Sequence, residues 1–252
     1  RSRGLGDVYK RQILIITNRG KGVIEDHFDH AFELETNLKD NASKQHIYEE
    51  LKAIANLANV YFIRQKETKG LADAILRAKS FVGNEPFGIL YGDDVILSED
   101  PVIGQLCRAY EEFGFGAVGV KEVPREDVPK YCTLDVTPLR DNIMKCNNII
   151  EKPTPDQIMS CYSILGRVVM PPEIFGIIEQ TPVDKKSGEV YFTDSMVTLA
   201  KQSGLTAVDF VGTRYDMGNK LGIMKANCEV ALTHPEIGAD FKAYLQELVR
   251  TF

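Results

Sequence analysis

Phe87-Gly88-Ile89-Leu90-Tyr91-Gly92-Asp93-Asp94 runs from an apolar segment straight into two carboxylates, and its reading decides the fold. A short apolar run closed by Gly-Asp is the pattern of a buried strand followed by a turn. Working outward, Ile13 to Thr17 and Val60 to Ile63 are earlier runs of the same kind, and Gly116 to Val120 is a later one. Helical spacing separates them. Ile47, Leu51, Ile54 and Leu57 recur at three and four residues within Gln45 to Leu57, and helices are also expected over Val23 to Leu38, Gly70 to Ser80 and Val102 to Glu112. This βαβαβ order predicts an α/β fold whose mainly parallel sheet is wrapped by helices, with ligands gathering at the carboxyl ends of its strands.

From Val123 the pattern changes. Tyr131 to Val136, Asn148 to Glu151 and Ser163 to Met170 read as short strands among prolines, a β-rich extension of the sheet. Pro171-Pro172 opens a helix through Ile178, and Tyr191 to Gln202 gives another. The β-branched run Thr206 to Val211 then leads into a second acidic turn, Arg214-Tyr215-Asp216-Met217-Gly218. If the Phe87 and Thr206 runs are strands of one sheet, their ends bring Asp93 and Asp216 together as a hard oxygen site suited to Mg²⁺ and phosphate chemistry. Lys220 to Leu232 and Phe241 to Val249 are amphipathic, a helical extension beginning near residue 219 that packs on the domain or on a second subunit.

Composition narrows the function. A chain of 252 residues, 44% hydrophobic, can bury a large core, so one domain is expected over residues 13–252. Its net charge of -6 argues against nucleic-acid binding, which needs a basic footprint. The five cysteines are scattered and never in C-x-x-C spacing, which fits reduced thiols in the cytoplasm. His27 and His30 can share a helix face, but no third metal ligand stands near them. No run has the length of a membrane helix, so a cytoplasmic protein away from membranes is expected.

Three further motifs suit a sugar phosphate and a nucleotide. In Ile149-Ile150-Glu151-Lys152-Pro153, a carboxylate for sugar hydroxyls stands beside a lysine for a phosphate, although the pair also reads as a solvated strand edge. In Arg64-Gln65-Lys66-Glu67-Thr68-Lys69-Gly70, Gln65 offers an amide to the edge of a base and Gly70 lets a ring approach the backbone. Gly188-Glu189-Val190-Tyr191-Phe192-Thr193-Asp194 looks like a loop entering a helix, with Thr193 or Asp194 as its cap.

Taken in order, R-Q-K-E-T-K-G-L, L-Y-G-D-D, I-I-E-K-P, G-E-V-Y-F-T-D and R-Y-D-M-G-N-K-L-G resemble the bacterial UTP-glucose-1-phosphate uridylyltransferases from about Ile13 onward. The resemblance implies a Rossmann-like nucleotidyltransferase of the GT-A-like, three-layer kind, acting in carbohydrate metabolism. It implies attack by glucose 1-phosphate on the α-phosphorus of UTP, giving UDP-glucose and pyrophosphate. Asp93 and Asp216 would then hold Mg²⁺, with Lys152 on the phosphate, Glu151 on the glucose hydroxyls, and Gln65 with Gly70 on the uracil. It also implies a homo-dimer or homo-tetramer. A noncatalytic nucleotide-sugar-binding protein and another sugar-1-phosphate nucleotidyltransferase stay open as alternatives.

The sequence departs from that pattern in three places. The expected first strand and its G-x-G-T-R-x-x-P loop do not precede Ile13; Gly4-Leu5-Gly6 is followed by Asp7-Val8 instead. An N-terminally truncated domain behind a non-native leader over residues 1–12 is therefore expected. Ala72 and Asp73 stand where the pattern has glycine and histidine, and the methyl of Ala72 is expected to crowd the base or ribose. Beside Tyr131, Cys132 replaces a glycine against the sugar, where its side chain is expected to narrow the pocket.

Overall fold

The structure, a computed structural model, describes residues 12–251 apart from positions 57 and 186. The expected leader lies outside the described residues as far as position 11, and so does Leu57. In chain order the elements are β1 (Gln12–Thr17), α1 (Gly22–Phe28), α2 (Phe32–Lys39), α3 (Gln45–Ala55), β2 (Asn59–Arg64), α4 (Leu71–Leu76), α5 (Lys79–Val82), β3 (Phe87–Leu90), β4 (Asp94–Leu97), α6 (Val102–Phe113) and β5 (Gly116–Glu122). There follow β6 (Cys132–Arg140), β7 (Ile143–Glu151), β8 (Tyr162–Met170), α7 (Ile174–Gln180), α8 (Phe192–Gln202), β9 (Leu205–Asp209), β10 (Thr213–Asp216), α9 (Lys220–Thr233) and α10 (Gly238–Val249). Every strand read from the sequence is present. The helix expected from Val23 to Leu38 is two, because Asp29 turns to extended backbone after α1.

The described residues form two compact units, one within Arg1–Phe87 and Pro171–Leu199, the other within Gly88–Met170 and Ala200–Phe252. In the first, β1 and β2 pair in parallel from Gln12↔Asn59 to Thr17↔Arg64. Ala72 and Ile75 on α4, Ile174, Phe175 and Ile178 on α7, and Phe192 and Met196 on α8 are buried, and α4 packs on α7.

The second unit holds a six-stranded sheet in the order β3-β8-β5-β9-β7-β6. Its central strand β5 has Gly116 to Val120 buried on both faces, as a covered strand requires. Val102, Leu106 and Ala109, spaced four and three along α6, close over Ala117, Leu165, Val169, Val208 and Phe210. Burying one large apolar side chain in such a layer stabilises by roughly 1.5–3 kcal/mol. β5 runs parallel to β9 but antiparallel to β8, and β7 is antiparallel to both β9 and β6. The sheet is thus mixed, because the proline-punctuated stretch after Val123 contributes β6, β7 and β8.

One local expectation changes. β3 and β9 share the sheet, yet β8 and β5 lie between them, so their ends are not neighbours. The acidic turns meet instead through a separate antiparallel pair, β4 with β10, in which Asp94 faces Asp216 and Thr213 faces Leu97. Asp94-Val95-Ile96-Leu97 was too short beside the Gly-Asp turn to stand out as a strand.

Candidate active site

The β4–β10 pair continues into a backbone hydrogen bond from Met217 N to Asp93 O at 2.7 Å, which locks the two turns together. Asp216 Oδ1 accepts from Gly218 N at 2.8 Å and Oδ2 accepts from the Tyr131 hydroxyl at 3.0 Å. A Cβ built on Gly218 would fall 3.0 Å from Asp216 Oδ1 and 3.6 Å from Asp93 Oδ2. Both carboxylates therefore converge on the corner that Gly218 leaves open. Burial works to raise the Asp216 pKa, but the bonds from Gly218 N and Tyr131, with the nearby Arg214 guanidinium, outweigh it and hold the carboxyl below its ordinary value. Asp216 is ionised at neutral pH.

Asp94 does something different. Its buried carboxylate accepts from Arg214 Nε at 2.5 Å, and Arg214 in turn lies with its Cζ 5.1 Å from the centre of the Tyr131 ring. Arg214 Nη1 also reaches the Tyr131 hydroxyl at 3.4 Å, and Nη2 stands 3.8 Å from Asp216 Oδ2. Burial is the main cause that raises the Asp94 pKa; Arg214 opposes it, while Asp93 and Asp216 add to it. One arginine thus serves two carboxylates of opposite tendency, neutralising Asp94 below the site and facing Asp216 within it.

Replacing Arg214 by methionine is expected to cost about 3 kcal/mol at neutral pH, because it leaves a carboxylate buried without its partner. The sign with pH follows from the raised folded-state pKa of Asp94. Below the ordinary carboxylate range Asp94 is protonated in both states and the penalty vanishes; it grows as pH rises through the folded-state value. Urea unfolding of parent and variant at pH 7 and at low pH checks this, and an equal loss at both would refute the buried-charge account.

Tyr131, Cys132, Glu151 and Lys152 come together at one end of the β6–β7 hairpin, where Cys132 pairs with Glu151 and Lys152 N donates to Tyr131 O at 2.8 Å. Lys152 is exposed and holds φ 44°, a left-handed conformation uncommon for a residue with a Cβ. Backbone strain of this kind clusters at functional sites. The Cys132 side chain is buried and accepts from Ile164 N at 3.3 Å, and burial pushes its thiol up to about 12. It packs within the sheet against Ile164.

In the first unit Gln65 follows β2 and Gly70 precedes α4. Gly70 has φ +90°, and a Cβ there would lie 3.0 Å from Glu189 Cβ, so both the turn and the close approach of Glu189 require glycine. Gln65 Nε2 donates to Gly70 O at 3.2 Å and to Asp73 at 2.7 Å. Ala72 is fully buried in α4, so its methyl meets the core rather than a base or ribose.

Sequence reasoning gave Arg214 no role. Its signal was spacing: side chains two apart on a strand share a face, so Arg214 had to stand beside Asp216. The Tyr131 hydroxyl bond to Asp216 spans 85 positions and had no local signal. Among the described residues no group of three or more His, Cys, Asp or Glu side chains gathers as a metal site, and no helix is long and apolar enough to cross a membrane.

The chain belongs to the nucleotidyl transferase family, which it matches over residues 7–232. The expected α/β nucleotidyltransferase fold is thereby established. Among its relatives is the UTP--glucose-1-phosphate uridylyltransferase of Staphylococcus epidermidis, 41% identical over 236 residues that span 94% of this chain and 81% of that protein. The solved UTP-bound UGPase from Acinetobacter baumannii is 30% identical with a TM-score of 0.83, covering 94% of this chain and 83% of its own. A UDP-glucose pyrophosphorylase complexed with UDP-glucose is 28% identical with a TM-score of 0.77, covering 94% and 81%.

Proposed function

We propose that this chain transfers UMP from UTP to glucose 1-phosphate, releasing UDP-glucose and pyrophosphate, with Mg²⁺ as its metal. The observation that carries this reading is the meeting of Asp93 and Asp216 at the Gly218 corner, in a chain whose relatives are uridylyltransferases. The donor set fits the ion: two carboxylates give hard oxygens, and Mg²⁺ keeps its remaining positions for water and phosphate. When bound, the metal neutralises phosphate charge and aligns the polyanions.

The chain's own residues supply the rest. Tyr131, Gly218 N and Arg214 keep Asp216 ionised and fixed in direction before substrate arrives. Lys152, the residue after the end of β7 and in a left-handed backbone conformation, meets a phosphate, and Glu151 next to it meets glucose hydroxyls. Gln65 and Gly70 read the uracil. No covalent intermediate is needed, since positioning and charge neutralisation carry phosphoryl and nucleotidyl transfer.

A cytoplasmic setting belongs to the same proposal, supported by five cysteines scattered along the sequence with no C-x-x-C spacing. Self-association into a dimer or tetramer does too, since α9 and α10 expose Leu221, Met224, Tyr244 and Val249. Sedimentation at the mass of a single chain would remove that part. The reaction itself is tested by incubating the chain with UTP, glucose 1-phosphate and Mg²⁺ and resolving products by chromatography. UDP-glucose with an equal amount of pyrophosphate is expected. Binding of UDP-glucose with no turnover would instead favour a noncatalytic binding protein.

A further inference from the structure

The side chain of Gln65 is held at one end only. Its Nε2 donates both to the Asp73 carboxylate at 2.7 Å and to the Gly70 carbonyl at 3.2 Å. An amide nitrogen has two N–H groups to give, and here both go to groups that can only accept. Turning the amide over would set Oε1 against a carboxylate and a carbonyl, so the orientation is fixed by chemistry. Oε1 is left facing away from them, and no donor among the described residues is paired with it.

Arg77 holds Asp73 in place from the next turn of the helix. Burial works to raise the Asp73 pKa, but the hydrogen bonds from Arg77 and then Gln65 overcome it and keep the carboxyl below its ordinary value. Asp73 is therefore an acceptor without a proton at neutral pH. It is also one of the positions where this sequence leaves the pattern it resembles.

We propose that Asp73 is a specificity-determining positioning residue: by fixing the Gln65 amide with its oxygen outward, it makes the site select a pyrimidine that carries a proton at N3. Uracil presents N3–H and donates to that oxygen. Cytosine presents a bare N3 lone pair, which the oxygen repels, and the amide cannot turn over to meet it. The inference rests on the reading of Gln65 as the residue that meets the base.

The test is the ratio of UTP to CTP affinity, measured by calorimetry on the full chain. Asp73→Asn is nearly the same shape but can donate as well as accept, so the stronger of the two groups that oppose turnover of the Gln65 amide is removed and only the Gly70 carbonyl, at 3.2 Å, still opposes it. The UTP:CTP affinity ratio is expected to fall about tenfold in that variant. Arg77→Ala keeps the carboxylate and is expected to keep the parent ratio. General loosening of the fold weakens both nucleotides alike and leaves the ratio unmoved. An Asp73→Asn ratio equal to that of the parent overturns the inference alone, whereas a parent chain with no preference for UTP overturns the base-reading role of Gln65 with it.

Discussion

Asp216→Ala is expected to lower UMP transfer by about a thousandfold or more, the scale lost when a preorganised charge is removed from a phosphate-transfer site. The fold should survive, because Asp216 is the last residue of β10 and its carboxylate faces the open corner at Gly218. Removing it frees the Tyr131 hydroxyl and Gly218 N, two groups with access to water, and relieves repulsion toward Asp93 and Asp94. The unfolding midpoint is therefore expected within a few degrees of the parent's. Asp216→Asn should be nearly as inactive, since it keeps the acceptor for Gly218 N but not the charge. Turnover close to the parent's in either variant would take Asp216 out of the catalytic apparatus.

Gly166→Ala is expected to cost about 3 kcal/mol of stability, and activity with it. Gly166 holds φ +73°, where any side chain is strained, and a Cβ there would fall 2.6 Å from Asp94 Oδ2 and nearer still to its Cβ. Asp94 cannot step aside freely. Its carboxylate is bound to Arg214, its backbone oxygen accepts from Arg167 Nη2 at 3.0 Å, and Gly166 O accepts from Tyr91 N at 2.9 Å. The methyl group must displace β4 from β8 or break the pair with Arg214, and Arg214 is also what faces Asp216. For a chain of this length the loss corresponds to a midpoint lower by about 6–12 °C. Thermal unfolding and the transfer assay on one preparation check both arms; an unchanged midpoint would mean that the Asp94 environment yields more easily than its hydrogen bonds suggest.

How far the sequence carried the fold depended on the range of the forces involved. Apolar runs such as Gly116 to Val120 and the spacing of Val102, Leu106 and Ala109 are local signals of burial, and the strands and helices they announced are there. The acidic turns were legible as ligands in waiting because Gly-Asp after a strand leaves a carboxylate at a sheet end. Their means of meeting was not. β4 is four residues long, and its partner β10 lies more than a hundred positions away, so only tertiary pairing makes either one a strand. The same holds for Cys132, whose burial depends on its contact with Ile164, and for Asp73, whose meaning comes from Gln65 across the β2–α4 loop. Hydrogen bonds between distant side chains left no periodicity to read.

Diffraction from crystals grown with Mn²⁺ and UDP-glucose tests the central claim most directly, because anomalous scattering locates the ion independently of turnover. The account predicts a peak bonded to carboxylate oxygens of both Asp93 and Asp216 at the Gly218 corner, and its loss in Asp216→Ala. An ion held elsewhere, with these two carboxylates unliganded, would contradict the claim that β4 and β10 exist to bring the acidic turns together as a metal site.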